Sequence, residues 1–328
     1  MNEQTLTDSF GRRIDYLRLS VTDRCDLRCA YCLPQGFKGF EEPEHWLTFE
    51  EITQVVRAFT VLGVHHVRLT GGEPLVRRDL PALVAQLAAL PGLDDLSLSS
   101  NCTRMASLAQ PLYQAGARRL NLSLDSLRPD VFKQITGGNL KQVLRGIEAA
   151  QDAGFAPIRV NTLVMRGVND DEIESILAFC AERGFTLRLI EAMPMGATGQ
   201  AATGQSLDLQ TVKRRLEQRF ELIPDLLPGG GPARYYRLSG SDTRIGFITP
   251  LSQHFCATCN RVRLTVDGTL LLCLGQEHSA PLRPLLRAGI SDPDLIAHLR
   301  RAVALKPERH DFRDRPAHID RFMSATGG

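Results

Sequence analysis

The strongest constraint on the fold of this chain is an alternation repeated six times. Strand-like apolar runs begin near Asp15, His65, Asp94, Arg118, Ala156 and Phe185, and helix-like runs separate them. Six successive β–α units predict a parallel sheet joined by right-handed crossovers. The helix starts carry signals of their own. Thr48-Phe49-Glu50-Glu51 is a capping-box pattern, Asp79 with Pro81 predicts a second start, and Asn169 is placed to cap the run through Ala181. Six units fall two short of a closed eight-unit barrel, which leaves a doubly wound sheet or an open, partial barrel.

The strand faces separate these choices. Leu120, Leu122 and Leu124 alternate with Asn121, Ser123 and Asp125. Leu17 and Leu19 alternate with Arg18 and Ser20, Val67 and Leu69 with Arg68 and Thr70, and Leu96 and Leu98 with Ser97 and Ser99. Successive side chains on a strand point to opposite faces, so each strand has one apolar and one polar face. A doubly wound sheet is covered on both faces and favours continuous apolar runs. The alternation therefore predicts an α/β chain forming a partial, TIM-like (β/α)6 barrel, whose polar lumen is a cavity for a large polar ligand. An antiparallel edge with a solvated face gives the same pattern, but the helical spacers favour parallel strands.

A length of 328 residues suggests about two domains. We place the barrel in residues 1–222 and a smaller α+β region in residues 223–328. Pro224, Pro228, Gly229, Gly230, Gly231 and Pro232 mark a linker, and short strands follow at 233–238 and 244–248. In the run from Arg261 to Cys273, Asp267-Gly268 predicts a two-residue hairpin turn. Pairing Val266 with Thr269 then sets Cys273 opposite Val262. The polar tail after Lys306 reads as frayed on composition.

Charge and cysteine usage narrow the function. Lys+Arg is 39 and Asp+Glu is 37, a balance that argues against bulk nucleic-acid or anionic-membrane binding. No apolar window is long enough for a membrane span, and the N-terminus has no signal-like apolar stretch, so the expected location is the cytoplasm. Disulfides are rare there, so eight cysteines point to metal or redox chemistry. Six form two groups of three: Cys25, Cys29 and Cys32 after the first strand, and Cys256, Cys259 and Cys273 around the hairpin. Thiolates select zinc or iron–sulfur clusters. Structural zinc takes a fourth protein ligand, and none is evident near the first group. The second group could be a zinc ribbon completed by His254 or His278. Cys102 and Cys180 read as small buried hydrophobes.

Cys25-x3-Cys29-x2-Cys32, with Tyr31 before the third cysteine and Gly71-Gly72-Glu73-Pro74 after the second strand, resembles the radical S-adenosylmethionine (SAM) superfamily. A narrower resemblance covers nearly the whole chain. The stretches Tyr16–Cys25, Val67–Pro74, Asn121–Leu127 and Phe255–Arg263, with the Gly327-Gly328 ending, look like the GTP 3′,8-cyclase family of molybdenum cofactor biosynthesis. The resemblance implies a radical SAM barrel and two 4Fe–4S clusters. The first cluster, on Cys25, Cys29 and Cys32, would bind and cleave SAM. The resulting 5′-deoxyadenosyl radical would take the ribose 3′ hydrogen of GTP, and C3′ would then bond to guanine C8, giving 3′,8-cyclo-7,8-dihydro-GTP. The second cluster, on Cys256, Cys259 and Cys273, would hold the guanine. Implied partners are GTP, an electron donor and cyclic pyranopterin monophosphate synthase; a homodimer is compatible with the sequence.

By the same resemblance, Tyr31, Gly71, Gly72, Glu73, Ser123 and Met193 would contact SAM. Arg18, Arg68, Ser99, Arg159, Arg261, Val262 (through its backbone) and Arg263 would contact GTP, with Asn161 and Arg188 as weaker additions. Gly327 and Gly328 would reach the active site. Read as bare residues, Met193 and Tyr31 could equally be packing side chains, and the strand arginines could be solvated. The chain departs from the family pattern in two places. Ser99-Ser100-Asn101-Cys102 replaces Thr-Thr-Asn-Gly, so a left-handed turn at Cys102 would be strained. Arg159 stands where many relatives have Lys. Two other readings remain: a two-cluster radical SAM enzyme that modifies a peptide, and a zinc-stabilised binding module with no catalytic role.

Overall fold

Leu17 and Leu19 are fully buried in the core, while Arg18 between them is half-buried on the opposite face of its strand. This division repeats through a twelve-stranded sheet in a computed structural model that describes residues 5–227, 231–312, 314 and 319–327. Pro228, Gly229 and Gly230 of the expected linker, and Gly328 of the tail, lie outside the described residues.

The strands are β1 (Tyr16–Ser20), β2 (His66–Thr70), β3 (Asp95–Ser100), β4 (Arg119–Ser123), β5 (Ile158–Leu163), β6 (Thr186–Ile190), β7 (Leu222–Asp225), β8 (Arg234–Leu238), β9 (Arg244–Ile248), β10 (Arg261–Leu264), β11 (Thr269–Leu271) and β12 (Ser279–Pro281). The helices are α1 (Phe49–Val61), α2 (Leu80–Ala88), α3 (Met105–Ala115), α4 (Pro129–Thr136), α5 (Leu140–Asp152), α6 (Ile173–Glu182), α7 (Gly196–Thr203), α8 (Leu209–Glu217), α9 (Arg283–Arg287), α10 (Asp292–Ala304) and α11 (Met323–Thr326). The first six strands and α1 to α6 form the expected β–α succession. Val67, Leu98, Leu122, Val160 and Leu187 join the apolar faces of the helices in one continuous core. No helix among the described residues is long and apolar enough to cross a membrane.

The strand order is β12-β11-β10-β1-β2-β3-β4-β5-β6-β9-β8-β7. Parallel pairing extends from β10 through β1 to β6 and on to β9. The two strands missing from the β–α count thus come from beyond residue 222, one at each edge. An uncovered parallel edge presents unpaired backbone N–H and C=O groups, and these strands satisfy them. Antiparallel partners then cap each end, β11 on β10 and β8 on β9. Since β9 and β10 are not neighbours in this order, the parallel array stays open.

Local expectations hold unevenly. Thr48 and Glu51 form the full capping box. Asp79 precedes α2 but makes no side-chain cap bond, its backbone being left-handed at φ 56°. Asn169 does not cap a helix. It is buried four residues before α6, where it donates to the carbonyls of Asp125 and Leu163 and accepts from Met165 N. The helix begins after Glu172, whose carboxylate holds Ser126, Leu127 and Arg128. The hairpin is one residue longer in its loop than Asp-Gly predicts. Arg263 pairs with Leu271 and Leu264 with Leu270, and Gly268 takes φ 83°. A three-residue loop ending in a left-handed glycine suits this geometry. The Asp267 carboxylate accepts from both Thr265 and Thr269 across the loop. Extending that register sets Cys273 opposite Arg261 rather than Val262.

Candidate active site

The polar strand faces converge on one interior surface. Arg18 lies level with Arg263 on one side and Arg68 on the other, and Arg68 is level with Ser97. Further round, Ser99 aligns with Asn121, Asn121 with Arg159, and Asn161 with Arg188. Arg68, Arg159, Arg188 and Arg263 are all buried. Arg188 is held by neutral acceptors, donating to Asn161 Oδ1 at 2.8 Å and Asn121 Oδ1 at 2.5 Å. Gly246 on β9 leaves room for the Tyr235 ring, which would lie 2.8 Å from any Cβ there.

This surface is electropositive. The Nε of Arg18 is buried without a hydrogen-bond partner. Burial, then the charges of Arg263 and Arg68, pull the Arg18 guanidinium well below its ordinary value. Arg68 and Arg261 lie over the Tyr16 ring at 5.3 and 5.8 Å. Burial opposes ionisation of Tyr16, yet the surrounding Arg68, Arg18, Arg261 and Arg188 hold its phenol below the usual range. Val262, between Arg261 and Arg263, turns its side chain to the core. Among the described residues Asp95 is the carboxylate that acts electrostatically on Arg68, and a surface with so many cations suits a polyanionic ligand.

At the C-terminal ends of the strands the first cysteine group meets the glycine loop. Gly71 and Gly72 are required by close approach. A Cβ on Gly71 would lie 2.2 Å from Thr22 O, and one on Gly72 would lie 2.4 Å from Arg24 O. Gly72 N donates to Thr22 O and Glu73 N to Arg24 O, so the loop braces the segment leading to Cys25. The Glu73 carboxylate accepts from Leu75 N, Ser100 Oγ and Asn101 N. Three of its four lone-pair sites are thus used by its own chain. Burial pushes this carboxyl up to about 7.

Cys25, Cys29, Cys32, Tyr31, Gly71, Gly72, Glu73, Ser99, Ser123 and Met193 line one cavity of about 200 Å³. Tyr31 Oη donates to Asp125 Oδ2 at 2.7 Å. Burial raises all three thiols, Cys25 to about 12 and Cys32 to about 11, and for Cys25 the nearby Glu73 adds to it. Three half-buried thiols lining one cavity suit a cationic cluster core, which favours their ionised form. Among the described residues no three His, Cys, Asp or Glu are gathered around a point as ligands of a single metal ion. In a cubane each thiolate holds a different iron.

The second cysteine group lies at the outer end of β10 and β11, with a different electrostatic setting. Burial opposes ionisation of Cys259, but Lys306 and Arg261 outweigh it and hold the thiol below its ordinary value. Cys256 and Cys273 are raised by burial. Cys102 and Cys180 are fully buried in the core, and Cys102 does adopt the strained left-handed turn, at φ 62°.

The tail is folded into this site. Met323 and Ser324 line the cysteine cavity, and the Ser324 backbone faces the Cys32 thiol and opposes part of the rise that burial causes. Gly327 sits against Thr70 with φ 69°, leaving no space for a Cβ. Phe322 packs edge-on to Phe37 at 5.1 Å. Composition registers this segment as polar; what orders it is contact with residues some 60 to 290 positions away, which local reading does not see. Tyr16, Asn101, Asp125 and Ser324 also belong to the site and were not selected from sequence. Asn101 and Asp125 lie inside the quoted motifs; nothing local singles out Ser324.

Residues 19–180 match the family model for the radical SAM superfamily, and residues 185–312 match that for Molybdenum Cofactor Synthesis C. A Pseudomonas entomophila protein named GTP 3′,8-cyclase is 48% identical over 332 aligned positions, covering 100% of this chain and 99% of its own. One of the same name from Marinobacter nauticus is 47% identical, covering both chains fully. Among solved structures, Streptococcus suis SuiB bound to S-adenosylmethionine superposes with a TM-score of 0.61 at 14% identity, over 88% of this chain and 68% of that one, a likeness of fold. With full-length relatives at nearly half identity and both family models matched in sequence, the chain belongs to the GTP 3′,8-cyclase family of radical SAM enzymes.

Proposed function

We propose that this chain converts GTP to 3′,8-cyclo-7,8-dihydro-GTP. Family membership makes it a radical SAM enzyme of molybdenum cofactor biosynthesis, using S-adenosylmethionine and an iron–sulfur cluster. When bound, these cofactors supply the radical that removes the ribose 3′ hydrogen. In our reading Cys25, Cys29 and Cys32 hold the SAM-cleaving cluster. Tyr31, Gly71, Gly72, Glu73, Ser123 and Met193 seat SAM, the glycines by letting backbone approach it closely. Arg18, Arg68, Arg159, Arg261 and Arg263 grip the triphosphate, with Ser99 and the Val262 backbone completing the GTP contacts. Cys256, Cys259 and Cys273 hold a second 4Fe–4S cluster that orients guanine. Gly327 and Gly328 close the site from the tail. Residues 1–222 act as the barrel and 223–328 as the second-cluster region. The electron comes from an external donor, and the product passes to cyclic pyranopterin monophosphate synthase; both steps belong in the cytoplasm.

The observation that carries this reading is the charge of the lumen. Among the described residues, Arg18, Arg68, Arg188 and Arg263 share the interior face, and none forms an ion pair with a carboxylate. Buried cations held only by neutral acceptors lack a counter-charge, and a triphosphate supplies it. The test is anaerobic reconstitution with iron and sulfide, then SAM and a strong reductant, with and without GTP. GTP-dependent 5′-deoxyadenosine together with a rearranged nucleotide of unchanged GTP mass is expected. SAM cleavage indifferent to GTP would sink the proposal.

A further inference from the structure

Arg261 and Arg263 of the lumen act on the second cysteine group from one side, and two further buried cations, Arg12 and Lys306, border it without being equivalent. Arg12 pairs with Asp8 at 2.6 Å and donates to the carbonyls of Cys256, Pro307 and Glu308. Its charge is balanced, and it ties the N-terminal loop to the cysteine loop.

Lys306, one of only five lysines in the chain, is not balanced in this way. It follows the end of α10, is 3% exposed, and donates from Nζ to Leu272 O, the carbonyl next to Cys273. Among the described residues no carboxylate lies within ion-pair distance of it. An ammonium buried with a single backbone acceptor is strongly unfavourable unless a negative charge lies near. The groups it acts on electrostatically are Cys256, Cys259 and Cys273. The first cysteine group has the opposite setting, since Glu73, Asp26 and Asp125 act on it.

We infer that Lys306 is a positioning residue that supplies the counter-charge to the cluster-bearing thiolate site formed by Cys256, Cys259 and Cys273. The inference rests on the reading of that group as cluster-bearing. It has a consequence for one cluster only. Reduction adds negative charge, so a neighbouring ammonium favours the reduced state. Removing that charge shifts the second cluster to lower potential and leaves the first unchanged.

The experiment uses the full chain reconstituted anaerobically, with iron and sulfide counted per chain and each cluster followed by an EPR-monitored redox titration. Neither readout depends on GTP turnover. Lys306→Met and Lys306→Gln are expected to lower the second cluster's potential, or to lose its iron, while the first cluster keeps both. Lys306→Arg, which retains the charge, should restore them. Wild-type iron and potential in Lys306→Gln would overturn the inference, because the hydrogen bond to Leu272 and not the charge would then matter. Equal loss in all three variants would also overturn it, since shape alone would be the cause. If Cys273→Ser in the otherwise native chain keeps wild-type iron, the cluster reading of this group fails first, and the role of Lys306 falls with it.

Discussion

Arg263 donates to the carbonyl oxygen of Gly327 at 2.5 Å and to that of Thr326 at 3.2 Å. A strand arginine of the lumen is thereby joined to the last described residue of the chain. Gly327 is wedged on the other side, where a Cβ would lie 1.9 Å from Thr70 Oγ1.

Gly327→Val should therefore expel the tail. Its left-handed backbone disfavours any side chain, and Thr70 has no room to yield. GTP-dependent turnover should drop about a hundredfold, as misplaced active-site groups commonly cause. The melting temperature should barely move, because α11 is a short terminal helix. Turnover close to wild type would show that the tail has no part in the reaction.

Gly72→Ala should damage the first cysteine group from outside it. The added methyl meets the Arg24 and Asp23 backbone, which cannot rotate away. Overpacking of this kind costs about 1–3 kcal/mol. Urea denaturation should register that loss, and reconstituted iron should fall while the second group keeps its share.

Arg18→Met should separate stability from binding. Arg18 lies among like charges, with its Nε unpartnered, so its removal should raise the melting temperature of the ligand-free chain. GTP affinity should fall about tenfold to a hundredfold, the usual worth of a charged hydrogen bond. Equilibrium dialysis with GTP provides the second measurement; unchanged affinity would remove Arg18 from the triphosphate site.

Each cysteine group should account for its own iron. Cys273→Ser and Cys25→Ser should each retain about half of the wild-type iron and sulfide, and the double variant almost none. A single-cluster chain would give all or nothing.

Asp125 predicts a pH effect in the cluster-free chain. Burial pushes its carboxyl up to about 6, above the ~3.9 of an unfolded aspartate. The folded state then binds the proton more tightly, so stability is lost as pH rises between those values, and the loss persists above them. Asp125→Asn removes that cost. Its stability relative to wild type should improve from pH 4 to pH 7.5 by on the order of 2 kcal/mol, measured by denaturant unfolding. A pH-independent difference would contradict the assignment.

Much of this molecule is legible in its residue pattern. Alternation in β1 to β4 identified a polar lumen because strand geometry leaves no third direction for a side chain. Gly71-Gly72 stood out as a motif, but its reason, the cysteine loop pressed against it, is a contact between chain segments. The hairpin loop is one residue longer than Asp-Gly predicts because Thr265 and Thr269 bind Asp267 across it. Asn169 carries a capping residue's chemistry, yet it is buried between two loops that only the assembled fold brings together.

The six β–α units, the sidedness of their strands and the two three-cysteine groups follow from local periodicity and spacing along the chain. Where the sheet ends is set by long-range contacts. β9 and β10 complete its edges because open backbone hydrogen-bonding groups must be paired, whatever the distance along the chain. Such contacts also order a polar tail against Cys32 and Arg263, and bury Lys306 beside three thiols. Long-range packing and charge compensation make those choices, and neither leaves a periodic mark on the residues concerned.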